Sequence, residues 1–378
     1  MSVRKRILRT GRVRWVADYS DQHGKRRHKT FNSEGDAKTF MKRTAVAILD
    51  NVYVADSATV SVQAACWLWA KAGQDAGLER TSVDQRLQHT TLHIVPYFGK
   101  TKLTKVTIRE VRAFQAWMRA NGRSPAMIRK ISSSLSGVLS EAREHGLISQ
   151  NPMQGMKRVR HGGNRHALEV GVDIPTLAEV KRLIAALDGK WRPVILTAIF
   201  TGLRAGELRA LKWHDVDLSN GVLHVRRSAD KYGTIRDMAK SQAGTRSVPL
   251  PPSLVTTLKE WKLACQPNTL DLVFPGRYGR VMGQWALAEG GLIPAMLRAG
   301  LLNAEGSPKY SGMHSLRHFF VSWCINRKSD GGLELPIKTV QQRVGHSSIV
   351  MTMDRYGHLF PVSDDGQLAA GEALLMGK

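Results

Sequence analysis

One short stretch limits how this chain can fold. From Lys157 to His166 the sequence is basic, contains Gly162 and Gly163, and has almost no apolar content. Such a segment adds nothing to a core and reads as linker. The chain therefore folds as separate units on either side of it rather than around one interior. Its 378 residues allow two or three domains at roughly 100–200 residues each. A hydrophobic share of 42% is enough to fill their cores and argues against disorder throughout. The expected boundaries are a small unit at 1–55, a helical unit at 60–156, a linker at 157–172 and a mixed unit at 173–378.

Charge bears on the partner. Lys and Arg total 56 against 31 Asp and Glu, a net of +25, and a polyanion is the economical explanation. Nucleic acid fits best; a ribosome-type binder and a membrane-surface protein are the alternatives. The excess is not uniform. Residues 1–50 hold 13 Lys/Arg against 5 Asp/Glu, and residues 61–160 hold 16 against 6. A short unit that buries little yet carries this charge suits a DNA-contacting arm better than an ordinary solvated face. No run approaches the roughly 18 apolar residues that a membrane span needs, and no apolar signal core follows the basic N-terminus. Cys66, Cys265 and Cys324 are far apart and form neither a CxxC pair nor a metal spacing. They read as free thiols in a reducing cytoplasm.

Local patterns give the elements. Val13, Trp15 and Ala17 alternate with Arg14, Val16 and Asp18, a strand pattern. Asp21-Gln22-His23-Gly24 reads as a turn, and Lys25 to Phe31 as the returning strand. Ser33 opens a helix with Asp36 three residues on, whose buried face is expected from Phe40, Ala45 and Ile48. Helices are then expected over Val62–Ala72, over Thr81–Ile94, from Thr107 (with Glu110 as capping box) to about Ala120, and from Ser124-Pro125 to near Gly146. Asn151-Pro152 closes this all-helical unit. After the linker, Thr176 and Glu179 form another capping box and open a unit of mixed helix and strand.

Three segments of that last unit carry chemistry. In Thr201-Gly202-Leu203-Arg204-Ala205-Gly206-Glu207-Leu208, two glycines flank an arginine, suggesting a turn that exposes a guanidinium just before a helix. A purely structural Arg204–Glu207 pair is the bland alternative. In Met313-His314-Ser315-Leu316-Arg317-His318, His314 and Arg317 share one helix face. His314 and His318 have the spacing of a zinc pair, but no Glu stands between them as in zinc proteases. Val344-Gly345-His346-Ser347-Ser348-Ile349 leads to Thr352-Met353-Asp354-Arg355-Tyr356-Gly357-His358.

Together these segments resemble the signature boxes of the tyrosine recombinase, or phage integrase, family, in the right order over residues 201–358. The resemblance implies that Arg204 is the first catalytic arginine, with Glu207 as its supporting acid. It implies that His314 and Arg317 are the second-box histidine and arginine, with His318 beside them. His346 falls on the third-box position and Tyr356 on the nucleophile, flanked by Thr352 and His358. The family also carries an active-site lysine in a β-hairpin ahead of a Val-Pro-Leu strand. Lys240, before Val248-Pro249-Leu250, is the assignment here, with Lys231 as rival. Residues 1–160 resemble, by layout alone, the arm-binding and core-binding domains of phage-lambda-like integrases. The implied fold is multidomain and mainly α with α+β: a β-plus-helix arm domain, a helical SAM-like core-binding domain and a mixed α/β catalytic domain.

The residue types suit phosphoryl transfer. Arginine stays charged and offers a planar fork that matches phosphate oxygens, as a clamp by Arg204 and Arg317 requires. A phenol such as Tyr356 attacks phosphorus only with help from a base or a cationic field, and Lys240 is the candidate general acid for the leaving 5′-oxygen. The resemblance implies a 3′-phosphotyrosyl intermediate and no cofactor or metal. It implies double-stranded DNA attachment sites as partners, a homotetramer in the synaptic complex, directionality or DNA-bending accessory proteins, no membrane, and a cytoplasmic, nucleoid-associated location in a bacterial host. The arm at 1–55 favours integration and excision of a phage or other mobile element over a Xer-like resolvase, which usually lacks one. The intact set Arg204, Lys240, His314, Arg317, His346, Tyr356 argues against a non-catalytic DNA-binding protein of the same fold. A type IB topoisomerase shares the chemistry, and relaxation of plasmid lacking an attachment site discriminates it.

Overall fold

The computed structural model describes residues 1–49, 53–156, 168–237, 245–360, 372 and 376. It comprises two compact units, Met1–Arg160 and His161–Lys378, and the division falls in the basic stretch singled out above.

In the first unit, the alternating segment becomes β2 (Val13–Ser20), the middle strand of an antiparallel sheet between β1 (Ser2–Ile7) and β3 (Arg26–Phe31). Trp15 pairs with Lys5 on one side and Phe31 on the other. The turn into β3 closes where Gly24 N donates to Asp21 O at 2.9 Å. The helix α1 (Glu34–Leu49) starts as its cap predicts, with Asp36 N donating to Ser33 Oγ at 3.1 Å. Its buried face differs from expectation. Ala37 and Thr44 are buried, whereas Phe40, Ala45 and Ile48 are only half-buried. A sheet of three short strands covers a narrow stripe, and the small side chains take its centre. Phe40 lies against the rings of Tyr19 and Phe31, with centroids 5.6 and 5.1 Å away.

The rest of this unit is helical: α2 (Val62–Asp75), α3 (Arg80–His89), α4 (Val95–Phe98), α5 (Ile108–Ala120) and α6 (Pro125–Glu144). Ser61, Thr107 and Ser124 cap α2, α5 and α6, each side chain accepting from an amide three residues on. Cys66, Phe98, Phe114, Ile131, Leu135 and Leu139 are among the residues of their shared core. The segment expected as one helix to Ile94 instead passes through a π-helical turn at Thr90–Ile94 before α4. Pro96 supplies the reason. It has no N–H for the regular ladder, and its ring would clash with the carbonyl four residues back, so the chain widens ahead of it.

The second unit opens with α7 (Leu177–Ala185), whose capping box is complete: Thr176 N donates to Glu179 Oε2 at 2.8 Å and Glu179 N to Thr176 Oγ1 at 3.2 Å. Then come α8 (Trp191–Thr201), α9 (Ala205–Arg209), the strands β4 (Val216–Asp217), β5 (Val222–Val225), β6 (Arg227–Ala229), β7 (Ile235–Asp237) and β8 (Arg246–Pro249), and α10 (Pro252–Ala264). The strands form two small antiparallel sheets, β4-β5-β8 and β6-β7. After α11 (Ile293–Arg298) follow α12 (His314–Ile325), α13 (Ile337–Val344) and α14 (Ile349–Tyr356). The helix α12 is buried along nearly its whole length. Leu316 and Phe319 join the main core with Ile195, Leu203 and Leu208. Phe320, Val321 and Cys324 join a second cluster with Val340, Val344 and the ring of Tyr356. That central helix fixes the site, because the segments carrying Arg204, His346 and Tyr356 all pack on it or beside it.

Candidate active site

The site is built on the C-terminal end of α13. The last carbonyls of a helix have no partner within it and form its negative pole. Here three consecutive carbonyls are taken by three arginines from three other segments. Arg246 Nε donates to Arg343 O at 2.8 Å, Arg317 Nη2 to Val344 O at 2.7 Å, and Arg204 Nη2 to Gly345 O at 3.2 Å. Gly345 takes the left-handed conformation, φ 71°, that stops the helix. His346 follows directly.

Each arginine is held by its own element. Gly202 ends α8 with φ 62°, and a Cβ there would lie 2.4 Å from the ring of Phe320. Only glycine permits the turn that brings Arg204 to the start of α9. Glu207, three residues on, is fully buried and gathers four donors: Arg204 N at 2.8 Å, Arg204 Nη1 at 2.9 Å, and Arg246 Nη1 and Nη2 at 3.1 and 2.6 Å. Burial opposes its charge, but the hydrogen bonds and charge of Arg246, then the Arg204 amide and guanidinium, hold the carboxyl below the usual carboxylate range. Arg317 is 2% exposed and also donates through Nη1 to Gly202 O at 2.7 Å. Burial first, and the positive charge of Arg204 next, bring it down to about 9, so it remains a cation at neutral pH.

The aromatic members meet around His318 and Tyr356. Tyr356 is the last residue of α14, a helix capped by Ser348. Its ring stacks on His346, with centroids 6.3 Å apart and planes 13° apart. Its hydroxyl lies 2.5 Å from His318 Nδ1. At 1% exposure the phenol is out of contact with solvent. Burial raises it to about 12, against the lowering pull of Arg317 and Arg355. His346 is oriented by Thr352, whose Oγ1 lies 2.9 Å from His346 Nδ1. Burial, followed by the charge of Arg317, lowers His346 to about 4; burial, followed by His314, does the same for His318. Both rings are therefore neutral at pH 7. His314 opens α12 at the protein surface, its ring centroid 4.5 Å from that of His318. Desolvation by the surrounding protein, then the charges of Arg317, Arg355 and Arg204, lower it as well. A cavity of about 630 Å³ reaches this cluster, lined in part by Arg204, His314, His318, Trp285, Lys309 and Tyr310.

The structure thus brings together Arg204, Glu207, His314, Arg317, His318, His346 and Tyr356 from segments scattered over more than 150 residues. Lys240 lies outside the described residues; the rival Lys231 is described, its ammonium 4.9 Å from the ring of Tyr232. His358, expected only as a flank, donates to or accepts from no ring of the cluster among its described bonds and instead reaches Leu168 O at 2.8 Å. Sequence reading passed over Arg246. Its signal is the strand register: Arg246 shares a face with buried Val248, and a charge on a buried face demands a buried partner. Among the described residues no three His, Cys, Asp or Glu side chains gather as a metal site, and no helix is long and apolar enough to cross a membrane.

Comparison with known proteins agrees with this architecture. Residues 174–361 match the phage integrase family. A XerC-like tyrosine recombinase of Caldanaerobacter subterraneus subsp. tengcongensis is 28% identical over 298 residues, covering 71% of this chain and 73% of its own. A putative prophage phiRv2 integrase of Mycobacterium tuberculosis is 27% identical over 366 residues, 93% of this chain and 91% of its own. In fold, the chain resembles the Tn1549 transposon integrase (TM-score 0.63, 21% identity, 84% of this chain and 100% of that one). It also resembles a lambda integrase (TM-score 0.57, 17% identity, 96% and 95%). These define a recombinase of the integrase type. The chain belongs to the phage integrase family of tyrosine recombinases, enzymes of site-specific recombination.

Proposed function

We propose that this chain cuts and rejoins double-stranded DNA at attachment sites, with Tyr356 as nucleophile, Arg204 and Arg317 as phosphate clamp, His314 and His346 as hydrogen-bonding partners of the phosphate, Lys240 as general acid, and Glu207 and His318 in support. The observation that carries the reading is the convergence at the end of α13. Two guanidiniums, an oriented imidazole and a phenol from distant segments meet around Val344, Gly345 and His346.

A phosphodiester under attack gains negative charge on its non-bridging oxygens, and fixed cations stabilise that charge. Arg204, whose side chain is 40% exposed, is open to a docked phosphate. Tyr356 is not. Its phenol must leave His318 and move toward the arginines before it attacks, so α14 shifts when DNA docks. The phenol is protonated at rest and gives up its proton to a neutral imidazole of the cluster as the oxygen–phosphorus bond forms. The 5′-oxygen leaves with a proton from Lys240. A 3′-phosphotyrosyl ester retains the bond energy, so a 5′-hydroxyl of the partner duplex reverses the step.

The finer assignments belong to the same reading. Residues 1–55 act as an arm-type DNA-binding domain, 60–156 as the core-binding domain, 157–172 as linker and 173–378 as the catalytic domain. The β1-β2-β3 sheet with α1 ahead of the helical part favours integration and excision of a phage or other mobile element over a Xer-like resolvase. Four protomers act in the synaptic complex; a lambda integrase tetramer bound to a Holliday junction has the same fold (TM-score 0.58) and supports this. Directionality or DNA-bending proteins assist, in the cytoplasm of the bacterial host at the nucleoid. The test is incubation with a nicked suicide duplex carrying the junction sequence of the element that encodes the chain. Wild type forms a covalent adduct; Tyr356→Phe binds the duplex equally and forms none. Equal adduct from both removes Tyr356 as nucleophile.

A further inference from the structure

Arg246 lies outside every role assigned so far, yet it makes three of the hydrogen bonds that shape the site. Its side chain is 5% exposed and faces a carboxylate with none of its surface exposed. The contact is a fork on a fork, Nη1 and Nη2 each on one oxygen of Glu207, while Nε holds Arg343 O. The same two oxygens receive the backbone and guanidinium of Arg204. One side chain on β8 therefore ties the start of α9 to the end of α13, the two places from which Arg204 and His346 reach the cluster.

We propose that Arg246 is a positioning residue of the strand-transfer site: through Glu207 it fixes the guanidinium of Arg204, and through the Arg343 carbonyl it fixes the turn that carries His346. This rests on the reading of the site given under Proposed function. Arginine is required, because the planar fork spans both carboxylate oxygens and leaves Nε for the carbonyl, which a lysine ammonium cannot do. Arg204 alone does not replace it. Its side chain is 40% exposed and only Nη1 reaches Glu207, so the close buried counter-charge of Glu207 is Arg246. Without that charge, burial drives the carboxyl toward its protonated form. A protonated Glu207 loses its charge and part of its acceptor capacity, so its hold on Arg204 weakens and the contact to Gly345 O is left as the firmer anchor of that guanidinium. The residue also stands on the strand that follows the segment containing Lys240, so it borders the expected position of the general acid in sequence.

The test compares Arg246→Gln, Arg246→Lys and the double variant Arg246→Met/Glu207→Gln with wild type and Tyr356→Phe, on the nicked suicide duplex at saturating concentration and across pH. Arg246→Gln should form adduct about 100-fold more slowly at pH 7, in the range for loss of one preorganised electrostatic element, with the Kd for the duplex within about threefold of wild type. Its rate should fall further toward acid pH, because Glu207 without its counter-charge takes up a proton more readily than in wild type, and wild type should show no such limb. Arg246→Lys should recover about tenfold of the loss. The double variant removes both buried charges, so it keeps its fold. Its adduct rate should match that of Arg246→Gln rather than multiply the two losses, since both act through Arg204. A purely structural role would lower the unfolding midpoint and leave the pH profile of the folded fraction unchanged; that result overturns the inference, as does a rate for Arg246→Gln within threefold of wild type. Absence of adduct from wild type, or equal adduct from Tyr356→Phe, overturns the reading of the site itself and this inference with it.

Discussion

Glu179 offers a quantitative test of how the wall of the cleft is held. It is 7% exposed, caps α7 through Thr176, and accepts from Lys309 Nζ and Tyr310 Oη, each at 2.7 Å. Lys309 and Tyr310 line the cavity beside Arg204 and His314. Burial disfavours the carboxylate, but the Lys309 ammonium, the Thr176 groups and the Tyr310 hydroxyl outweigh it and lower the carboxyl from 4.5 to about 2. A lowering of that size corresponds to roughly 3 kcal/mol of stability at neutral pH. The folded carboxyl titrates below the unfolded one, so this contribution is complete above about pH 4.5 and drains away as pH falls toward 2. At pH 3.5 about 2 kcal/mol of it remains. Glu179→Gln keeps the shape and removes the charge. The variant should lose about 3 kcal/mol at pH 7 and about 2 kcal/mol at pH 3.5. The measurement is urea-dependent hydrogen exchange at α12 amides, which open with the core of the second unit. A loss below about 0.5 kcal/mol, the scatter expected of a neutral surface change, would refute the reasoning. A deficit equal at both pH values would show that packing, not the charge, is responsible.

Three further outcomes are expected. His318 and His346 are lowered to about 4, so adduct formation by wild type should show no histidine limb between about pH 5.5 and 8, around the ordinary imidazole value of about 6.5. The same lowering makes the unfolded chain bind protons that the folded chain refuses, so the unfolding midpoint should fall as pH drops from about 6.5 toward 4; a midpoint flat over that window contradicts the burial of these rings. Gly202→Ala places a methyl 2.4 Å from Phe320 in a backbone with φ 62°. It should destabilise the second unit by more than about 1 kcal/mol and slow adduct formation, read by thermal unfolding and the suicide duplex together. An active, fully stable variant would show that the turn presenting Arg204 tolerates a side chain.

Much of the helical framework was legible because caps act locally. Ser33, Thr107, Ser124 and Thr176 each announce a helix by a bond to an amide three residues on, a bond set by sequence spacing. The Gly202-Leu203-Arg204 turn was legible for the same reason. The buried face of α1 was not, since which side of a helix is covered depends on the width of the sheet it lies on. Nor was the π turn before Pro96, where the choice among kink, break and widening belongs to the surrounding packing.

By itself, then, the sequence determined the kinds of side chain, their order and their local turns, because those depend on covalent neighbours and backbone preferences. Only the tertiary structure decided that Arg204, Arg246 and Arg317 share the carbonyl end of α13, that Glu207 serves two of them, and that the Tyr356 phenol rests buried against His318. Those contacts join residues up to 141 positions apart, and they form because unpaired carbonyls and a buried carboxylate need partners that only the folded chain brings within reach.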